Sequence, residues 1–414
     1  MINPVQKQVL QLAVKAGEIM MQSGAEIYRV EDTISRICAA CRIPNVEVFA
    51  TPTGVFVSID PGDEDSDVLT YISRIHSSAV NLNKISDINE FSRVFTTTDL
   101  SIEDGLKELD TIAKQKRYPV PVRLLGAGLV SAFFCALLSG SLVDSLCSGL
   151  IGVCSFALSI FLYKYDINYF IRGFCCCALA TVLALLSVSL SIGSSAGSMV
   201  IGSLMLFVPG AAITNAIRDF LYGDMLSGVA RMTEALVIAV SLATGAGIVI
   251  KLWSISGMTT QTASETGNMA VALLMGLAAT FGFCIILHAP AKNMLVASII
   301  GGVGWGVYQL CNDYGSIVAC FLGACAVGLL SDISSRVFKQ ASTVFTIPGI
   351  MPLVPGAGMY YTMLELINGN LEKAAITGAE TIFLAWATAI GLLTIGSSIK
   401  IFLAIRRKIL RVTK

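Results

Sequence analysis

The sequence is short of charge. Charged residues fill 14% of its 414 positions, where a soluble globular domain carries about a quarter. Its 28 basic and 28 acidic groups cancel. A chain that is 55% hydrophobic does not stay disordered, and balanced charge lacks the basic surplus of a nucleic-acid binder. Histidine is almost missing, with only His76 and His288. Histidine-rich metal centres are therefore excluded, and a hydrolase in the N-terminal part would have to combine His76 with Ser58 and Asp60. No phosphate-binding glycine loop and no G-x-S-x-G elbow occurs. The acidic run 60–67 lacks the spacing of a calcium loop and reads as a solvated turn. Cys38 and Cys41 form a C-x-x-C without a second pair, and they read as packing residues, like most of the twelve cysteines. No metal or cofactor is expected.

What charge there is lies unevenly. Residues 1–122 hold 29 of the 56 charged side chains, an ordinary density for a soluble domain. The remainder holds 27, too few to cover a water-facing surface. The first 30 residues read as an amphipathic helix with Lys7, Lys15 and Glu18 on its polar face, not as a charged-then-apolar leader. The expected fold class is a polytopic α-helical membrane protein with a small N-terminal α/β domain over 1–117.

Ten apolar runs have spanning length: about 123–141, 144–163, 169–190, 196–217, 225–249, 268–288, 293–311, 315–332, 341–363 and 373–396. Lys and Arg set their direction. With the N-terminus inside, seventeen basic residues fall on the inner side, among them Arg218, Arg231, Lys292, Arg336 and Lys339, and only Lys251 and Lys373 fall outside. Both termini are thus expected in the cytoplasm, in a cytoplasmic (inner) membrane. The tail 399–414 reads as a basic amphipathic helix on the anionic leaflet.

The apolar part repeats itself. A shift of 146 places Val208-Pro209-Gly210-Ala211 on Val354-Pro355-Gly356-Ala357, Asp219 on Glu365, Gly223 on Gly369, Glu234 on Glu380 and Gly245 on Gly391. Two five-span halves, 118–250 and 251–398, enter the membrane from opposite sides because five is odd. An inverted repeat of this kind is common among secondary transporters. Pro-Gly breaks each half at the same place. The freed backbone and the positive end of the following half-helix suit a carboxylate, so Pro209, Gly210, Pro355 and Gly356 are the expected substrate contacts. Ionisable side chains at membrane depth cost at least about 2.5–3.5 kcal/mol. That marks Glu234 and Glu380 as coupling carboxylates, with Asp219 and Glu365 nearer the membrane edge. Arg231, three residues before Glu234, is placed to pair with it. His288, in the short loop 288–292, reads as a solvated polar residue.

In the N-terminal part, 3–23 and 26–42 read as helices. Residues 47–59 read as a strand pair about Thr51-Pro52-Thr53-Gly54, 69–75 as a strand, and 77–95 and 99–116 as helices.

Gly24-Ala25-Glu26-Ile27-Tyr28-Arg29-Val30-Glu31, Thr51-Pro52-Thr53, Arg74 and Asn81-Leu82-Asn83-Lys84 together resemble the N-terminal domain of the threonine/serine exporter family. The membrane segment from Val208-Pro209-Gly210 through Arg218-Asp219, Gly223-Asp224, Gly228 and Arg231 to Glu234 is similar to that family's first membrane half. Val354-Pro355-Gly356, Gly369-Asn370 and Glu380 are similar to its second. The resemblance covers nearly the whole chain. It implies export of a small carboxylate-bearing metabolite such as threonine or serine, driven by the proton-motive force. It also implies site roles for Gly24, Arg29 and Glu31 in the N-terminal motif and for Arg218, Asp224 and Arg231 beside the break. Some relatives split the halves between two polypeptides, and one such pair is associated with succinate. The halves here differ: Leu364 stands where the first has Arg218, and Asn370 where it has Asp224.

The resulting reading is a secondary exporter, not an enzyme. Its partners are the metabolite, protons and the lipid bilayer, with no nucleic acid, and a homo-oligomer is compatible with it. The rivals are a dicarboxylate exporter on the same scaffold, with Arg231 as the second cationic contact, a channel, and a membrane-anchored sensor or enzyme.

Overall fold

The computed structural model describes residues 4–60, 68–76, 79–138, 140–254, 269–367 and 369–412. The acidic run 61–67, the tail's last two residues and its side chains from 402 onward lie outside the described residues.

Helix α1 (Pro4–Gln22) buries Val9, Leu12, Ala13, Ala16 and Met20, positions three or four apart on one helical face. Gly24, at φ +77°, ends it, and the Ala25 N–H donates back to the Met20 carbonyl at 3.0 Å. Helix α2 (Ile27–Ala40) packs Val30, Ile34 and Ile37 against it. A Cβ on Gly17 would stand 2.6 Å from Ile34 Cδ1, so this glycine sets how closely α1 and α2 approach.

Strands β1 (Asn45–Thr51), β2 (Gly54–Asp60) and β3 (Leu69–Arg74) form an antiparallel sheet in chain order. Thr51 pairs with Gly54, leaving Pro52-Thr53 as a two-residue turn. Alternation sends Val55, Val57 and Ile59 inward. Helices α3 (Leu82–Thr97) and α4 (Ile102–Ala113) complete the core with Ile85, Ile88, Phe91 and Leu109. Cys38 lies in this core, fully buried.

The protein is a polytopic helical membrane protein. Among the described residues eight helices are long and apolar enough to cross a membrane. They are α5 (Val120–Leu137), α6 (Leu142–Lys164), α7 (Tyr169–Ser189), α10 (Met225–Ser254), α11 (Met269–Ile286), α12 (Ala291–Cys311), α13 (Ser316–Phe338) and α16 (Leu371–Val412). The fourth and ninth apolar runs are broken. The fourth holds α8 (Ala196–Leu204) and α9 (Gly210–Tyr222); the ninth holds α14 (Thr343–Ile350), a 3-10 turn, and α15 (Gly356–Ile367). Proline accounts for both breaks, since it lacks the N–H that a continuing helix needs.

The order of long and short helices is the same from α5 to α10 as from α11 to α16. Helix α10 packs on α7 and α9; α16 packs on α13 and α15. The sets meet where α5 packs on α11, and crosswise where α10 packs on α15 and α9 on α16. Small residues let the helices close up. A Cβ on Gly282 would stand 2.9 Å from the Gly126 carbonyl, and one on Gly391 2.7 Å from that of Phe321.

The N-terminal elements rest on three corners of the helical part. Leu82 and Asn83 donate their N–H groups to the Leu287 and His288 carbonyls at 3.0 and 2.9 Å, and the Tyr118 hydroxyl donates to Ala289 at 2.7 Å. Ser86 meets Gln340 before α14. The third corner joins α9 to α10. These corners carry Arg218, Arg231, Lys292, Arg336 and Lys339, so these five basic residues lie on the side of the described N-terminal elements.

At the far end of α5, about 27 Å along its axis, lies Asp144, which is fully buried. It accepts from the Ser194 N–H (2.7 Å) and hydroxyl (2.6 Å), the Ser195 N–H (3.2 Å) and the Ser141 N–H (3.1 Å). This ties the start of α6 to the start of α8. Asp144→Ala removes the buried acceptor shared by exposed Ser141 and Ser194 and buried Ser195. We expect a loss of about 3 kcal/mol or more, read as a lower unfolding temperature in detergent; an unchanged temperature would remove the tie.

Candidate functional site at the helix breaks

Val-Pro-Gly builds the same turn twice. The Gly210 N–H donates to the Val208 carbonyl at 2.8 Å, and the Gly356 N–H to Val354 at 2.7 Å. Pro209 sits at φ −79°, ψ 48°, near an inverse γ-turn. Each proline carbonyl then accepts the first bond of the next helix, from Ile213 in α9 and Met359 in α15. The two turns face each other. A Cβ on Gly210 would fall 2.6 Å from Val354 Cγ1, and one on Gly356 would fall 2.7 Å from Val208 Cγ1. The contact is reciprocal and tight, which explains glycine at both places. Pro209, Gly210, Pro355 and Gly356 thus converge on one seam.

The helices after the breaks end alike too. Gly223 and Gly369 take left-handed φ values of 93° and 80°. Asp224 donates its N–H to the Asp219 carbonyl at 2.9 Å, and Asn370 to Glu365 at 2.9 Å. The side chains diverge. Glu365 accepts from the Asn370 amide at 2.6 Å and is half-exposed. Asp219 is buried and faces Arg231, with Nε 3.4 Å from Oδ2.

Around Asp219 the N-terminal motif meets α9. Glu26 is 2% exposed and lies between two guanidinium groups. Arg29 Nε donates to it at 2.5 Å, and Arg218 forms an ion pair with its other oxygen. Arg29 also donates to the Tyr28 hydroxyl at 3.1 Å and to Ser342 Oγ, just before α14, at 2.7 Å. Arg231 Nη2 donates to the Ala25 carbonyl at 2.9 Å. Tyr28 packs against Tyr222 of α9 with the rings tilted by 31° and their centroids 4.8 Å apart. Glu26 precedes α2 yet makes no side-chain cap; its carboxylate is used on the arginines.

Burial pushes the Glu26 carboxyl up, but the charges of Arg218 and Arg29 and the Arg29 hydrogen bond outweigh it and hold the group below its ordinary 4.5. Burial, then the Glu26 charge, pushes the Tyr28 phenol up to about 12, so it stays neutral. Burial also raises Glu31, with the Asp224 charge adding to it, although the Ala50 N–H bonds the carboxylate at 2.9 Å and pulls the other way.

Other expected residues lie elsewhere. Arg231 pairs with Asp219, not with Glu234. Glu234 and Glu380 are both exposed on the outer faces of α10 and α16. His288 is not solvated but 6% exposed, at φ 53°, stacked on Tyr118, with Nδ1 2.7 Å from the Ile286 carbonyl. Burial pulls its imidazole down to about 4 and keeps it neutral. The contact of Asn83 with the His288 carbonyl is what covers it. Glu26, Tyr28, Tyr222 and Ser342 were not singled out as site residues from the sequence. The one local signal was the Glu26–Arg29 spacing of three; the partners across the interface carry none.

A family model described as "Putative threonine/serine exporter" matches residues 11–253, and one described as "Threonine/Serine exporter, ThrE" matches 258–398. The chain is 22% identical to a threonine/serine exporter of Corynebacterium glutamicum over 92% of its own length and 79% of that protein's. It is 20% identical to a "Probable threonine/serine exporter" of Mycobacterium tuberculosis over 90% of the chain and 72% of the relative. It is 22% identical to the "Probable succinate transporter subunit YjjP" of Escherichia coli, over 61% of the chain and 97% of that subunit. No solved structure matches.

Because Glu26 is held below its ordinary value, it binds a proton less readily folded than unfolded. Its contribution is full above pH 4.5 and is lost as pH falls through the folded value. We expect wild-type melting temperature to drop on acidification below pH 4.5, with a shallower drop in Glu26→Gln. At pH 7, Glu26→Ala leaves two buried cations unpaired, and we expect it to cost about 3–5 kcal/mol. Equal acid sensitivity of wild type and Glu26→Gln would remove Glu26 from that linkage.

Proposed function

The chain belongs to the threonine/serine exporter family, and from that premise we propose that it is a secondary active exporter of a small carboxylate-bearing metabolite, threonine or serine first, driven by the proton-motive force. The observation that carries this reading is the seam where the two Val-Pro-Gly turns meet. Two half-helices, α9 and α15, start there with their positive dipole ends, a setting that suits a substrate carboxylate. Separation of the turns opens the site; their contact closes it.

The proposed architecture is a 5+5 inverted repeat with domains at 1–117, 118–250, 251–398 and 399–414. It is supported by the repeated helix order and by the two half-helices α8 and α14. Helix α8 starts beside Asp144, away from the N-terminal elements, and α14 starts beside Arg29, against them. The inner-side charge bias supports a cytosolic α/β domain and cytoplasmic termini in the inner membrane.

Asp219 is the first coupling candidate in this reading. It is buried, paired with Arg231 and the next residue after Arg218, which pairs with Glu26, so its protonation would loosen both. Glu234, Glu380 and Glu365 are the others. Exposure of Glu234 and Glu380 on apolar helices costs at least about 2.5–3.5 kcal/mol against lipid, which favours a homo-oligomer that covers them. A monomeric particle by mass measurement would contradict that cover.

Succinate is the second reading, favoured by the similarity to the Escherichia coli subunit. Counterflow in proteoliposomes separates the two. Vesicles are loaded with unlabelled threonine, serine or succinate, and labelled uptake is followed with and without a pH gradient. We expect threonine or serine exchange that responds to the gradient and is reduced about tenfold or more in Asp219→Asn and in Glu234→Gln with Glu380→Gln. Succinate exchange alone would transfer the mechanism to the dicarboxylate. Flux indifferent to the gradient and to all three substitutions would contradict proton coupling.

A further inference from the structure

A cavity of 260 Å³ lies between α2, α3 and the turn at Ala341 that leads into α14. It is separate from the Val-Pro-Gly seam. Two polar stripes face each other across it. On α2 the stripe is Arg29, Asp32 and Arg36, residues three or four apart on one helical face. On α3 it is Asn89, Arg93 and Thr96, at the same spacing.

The charges do not cancel. Glu26 takes Arg29 at 2.5 Å, and Asp32 takes Arg36 at 2.8 Å. Arg93 is exposed and donates one bond, to the Lys339 carbonyl at 3.2 Å. Among the described residues no carboxylate lies within ion-pair distance of Arg93. The cavity therefore offers a guanidinium with no carboxylate partner, a second cation at its mouth, the Asn89 amide, and the Thr96 hydroxyl, which donates to the Arg93 carbonyl at 3.1 Å and is free to accept. Its volume lies near the lower end of small-ligand pockets, about 300 Å³, a size that suits an amino acid or a short dicarboxylate.

We propose that this cavity is a second binding site, on the side of the N-terminal elements, for a small carboxylate-bearing metabolite. Its carboxylate meets Arg93 in the planar fork that guanidinium offers, and Asn89 and Thr96 take its polar groups. Because one wall is the turn before α14, an occupant bridges the N-terminal elements to the second half of the membrane part. Arg29 belongs to the same wall and holds both Ser342 and Glu26. Occupancy thus bears on the contact of Glu26 with Arg218 and reports metabolite level to α9. The choice of metabolites rests on the exporter reading; the site itself rests on the cavity.

The test is equilibrium binding of labelled threonine, serine and succinate to the purified full-length protein in detergent. Wild type is compared with Arg93→Gln, Arg93→Lys and Asn89→Trp, the last filling the cavity. Melting temperatures confirm that each variant is folded, and counterflow is measured in parallel. We expect at least one compound to bind wild type. Its affinity falls about tenfold or more in Arg93→Gln, the worth of one charge-assisted contact. Asn89→Trp binds less, and Arg93→Lys recovers part of the loss. Wild-type affinity and stoichiometry in both folded Arg93→Gln and Asn89→Trp would overturn the site, as would the absence of binding by all three compounds. Binding that depends on Arg93 in a protein without counterflow supports the site and counts against the transport reading alone.

Discussion

One buried carboxylate organises the molecule. Glu26 stands between Arg29 and Arg218 with almost no exposure to water. Desolvating three charges is costly, and only close mutual pairing offsets it. The geometry is therefore all or nothing: if one partner leaves, the other charges are stranded. That property fastens the N-terminal elements to α9 in one register. Arg231 adds a second tie by holding Asp219 with one edge and the Ala25 carbonyl with another. The tie reaches the other half through Ser342, which accepts from Arg29. Glu26 is thus in contact with the helix that follows one proline break and, through Arg29, next to the start of α14.

The two sets of helices share backbone turns and differ in the side chains at them. Both halves form the same Val-Pro-Gly turn, the same left-handed glycine end and the same bond from the residue after it. Backbone geometry has been kept while side chains have changed. Leu364 and Asn370 cannot reproduce the charges of Arg218 and Asp224. Only α9 can be gripped by Glu26; its counterpart α15 ends in the local Glu365–Asn370 bond. The contact of the N-terminal elements with α9 through Glu26 has no counterpart at α15 among the described residues.

Local physics was legible in the sequence. The strand pair about Pro52-Thr53, the helix stop at Gly24 and the breaks at Pro209 and Pro355 each follow from a residue's own backbone preference. Hydropathy gave the depth of Glu234 and Glu380, but the facing of a helix is set by its neighbours, and α10 and α16 turn both acids outward. The Arg231–Glu234 pairing was sound as helical spacing and lost to Asp219, which α9 delivers from across a turn. His288 looked solvated because Asn83 and Tyr118, which cover it, come from far along the chain. In the sequence Glu26 is one residue of the Gly24–Glu31 motif, and only its spacing of three from Arg29 hints at a pair. Its role depends on Arg218, and no pattern within either segment joins them.

The most direct test of this account is a double-mutant cycle at Glu26 and Arg218 with transport as the readout. Glu26→Gln, Arg218→Gln and the double variant are reconstituted, and threonine, serine or succinate counterflow is measured for each folded protein. If the pair links the N-terminal elements to the moving half-helix, each single variant loses rate and the double loses no more than the worse single, a non-additive result with a coupling of at least about 1 kcal/mol. Additive losses, or single variants that transport like wild type, would contradict it.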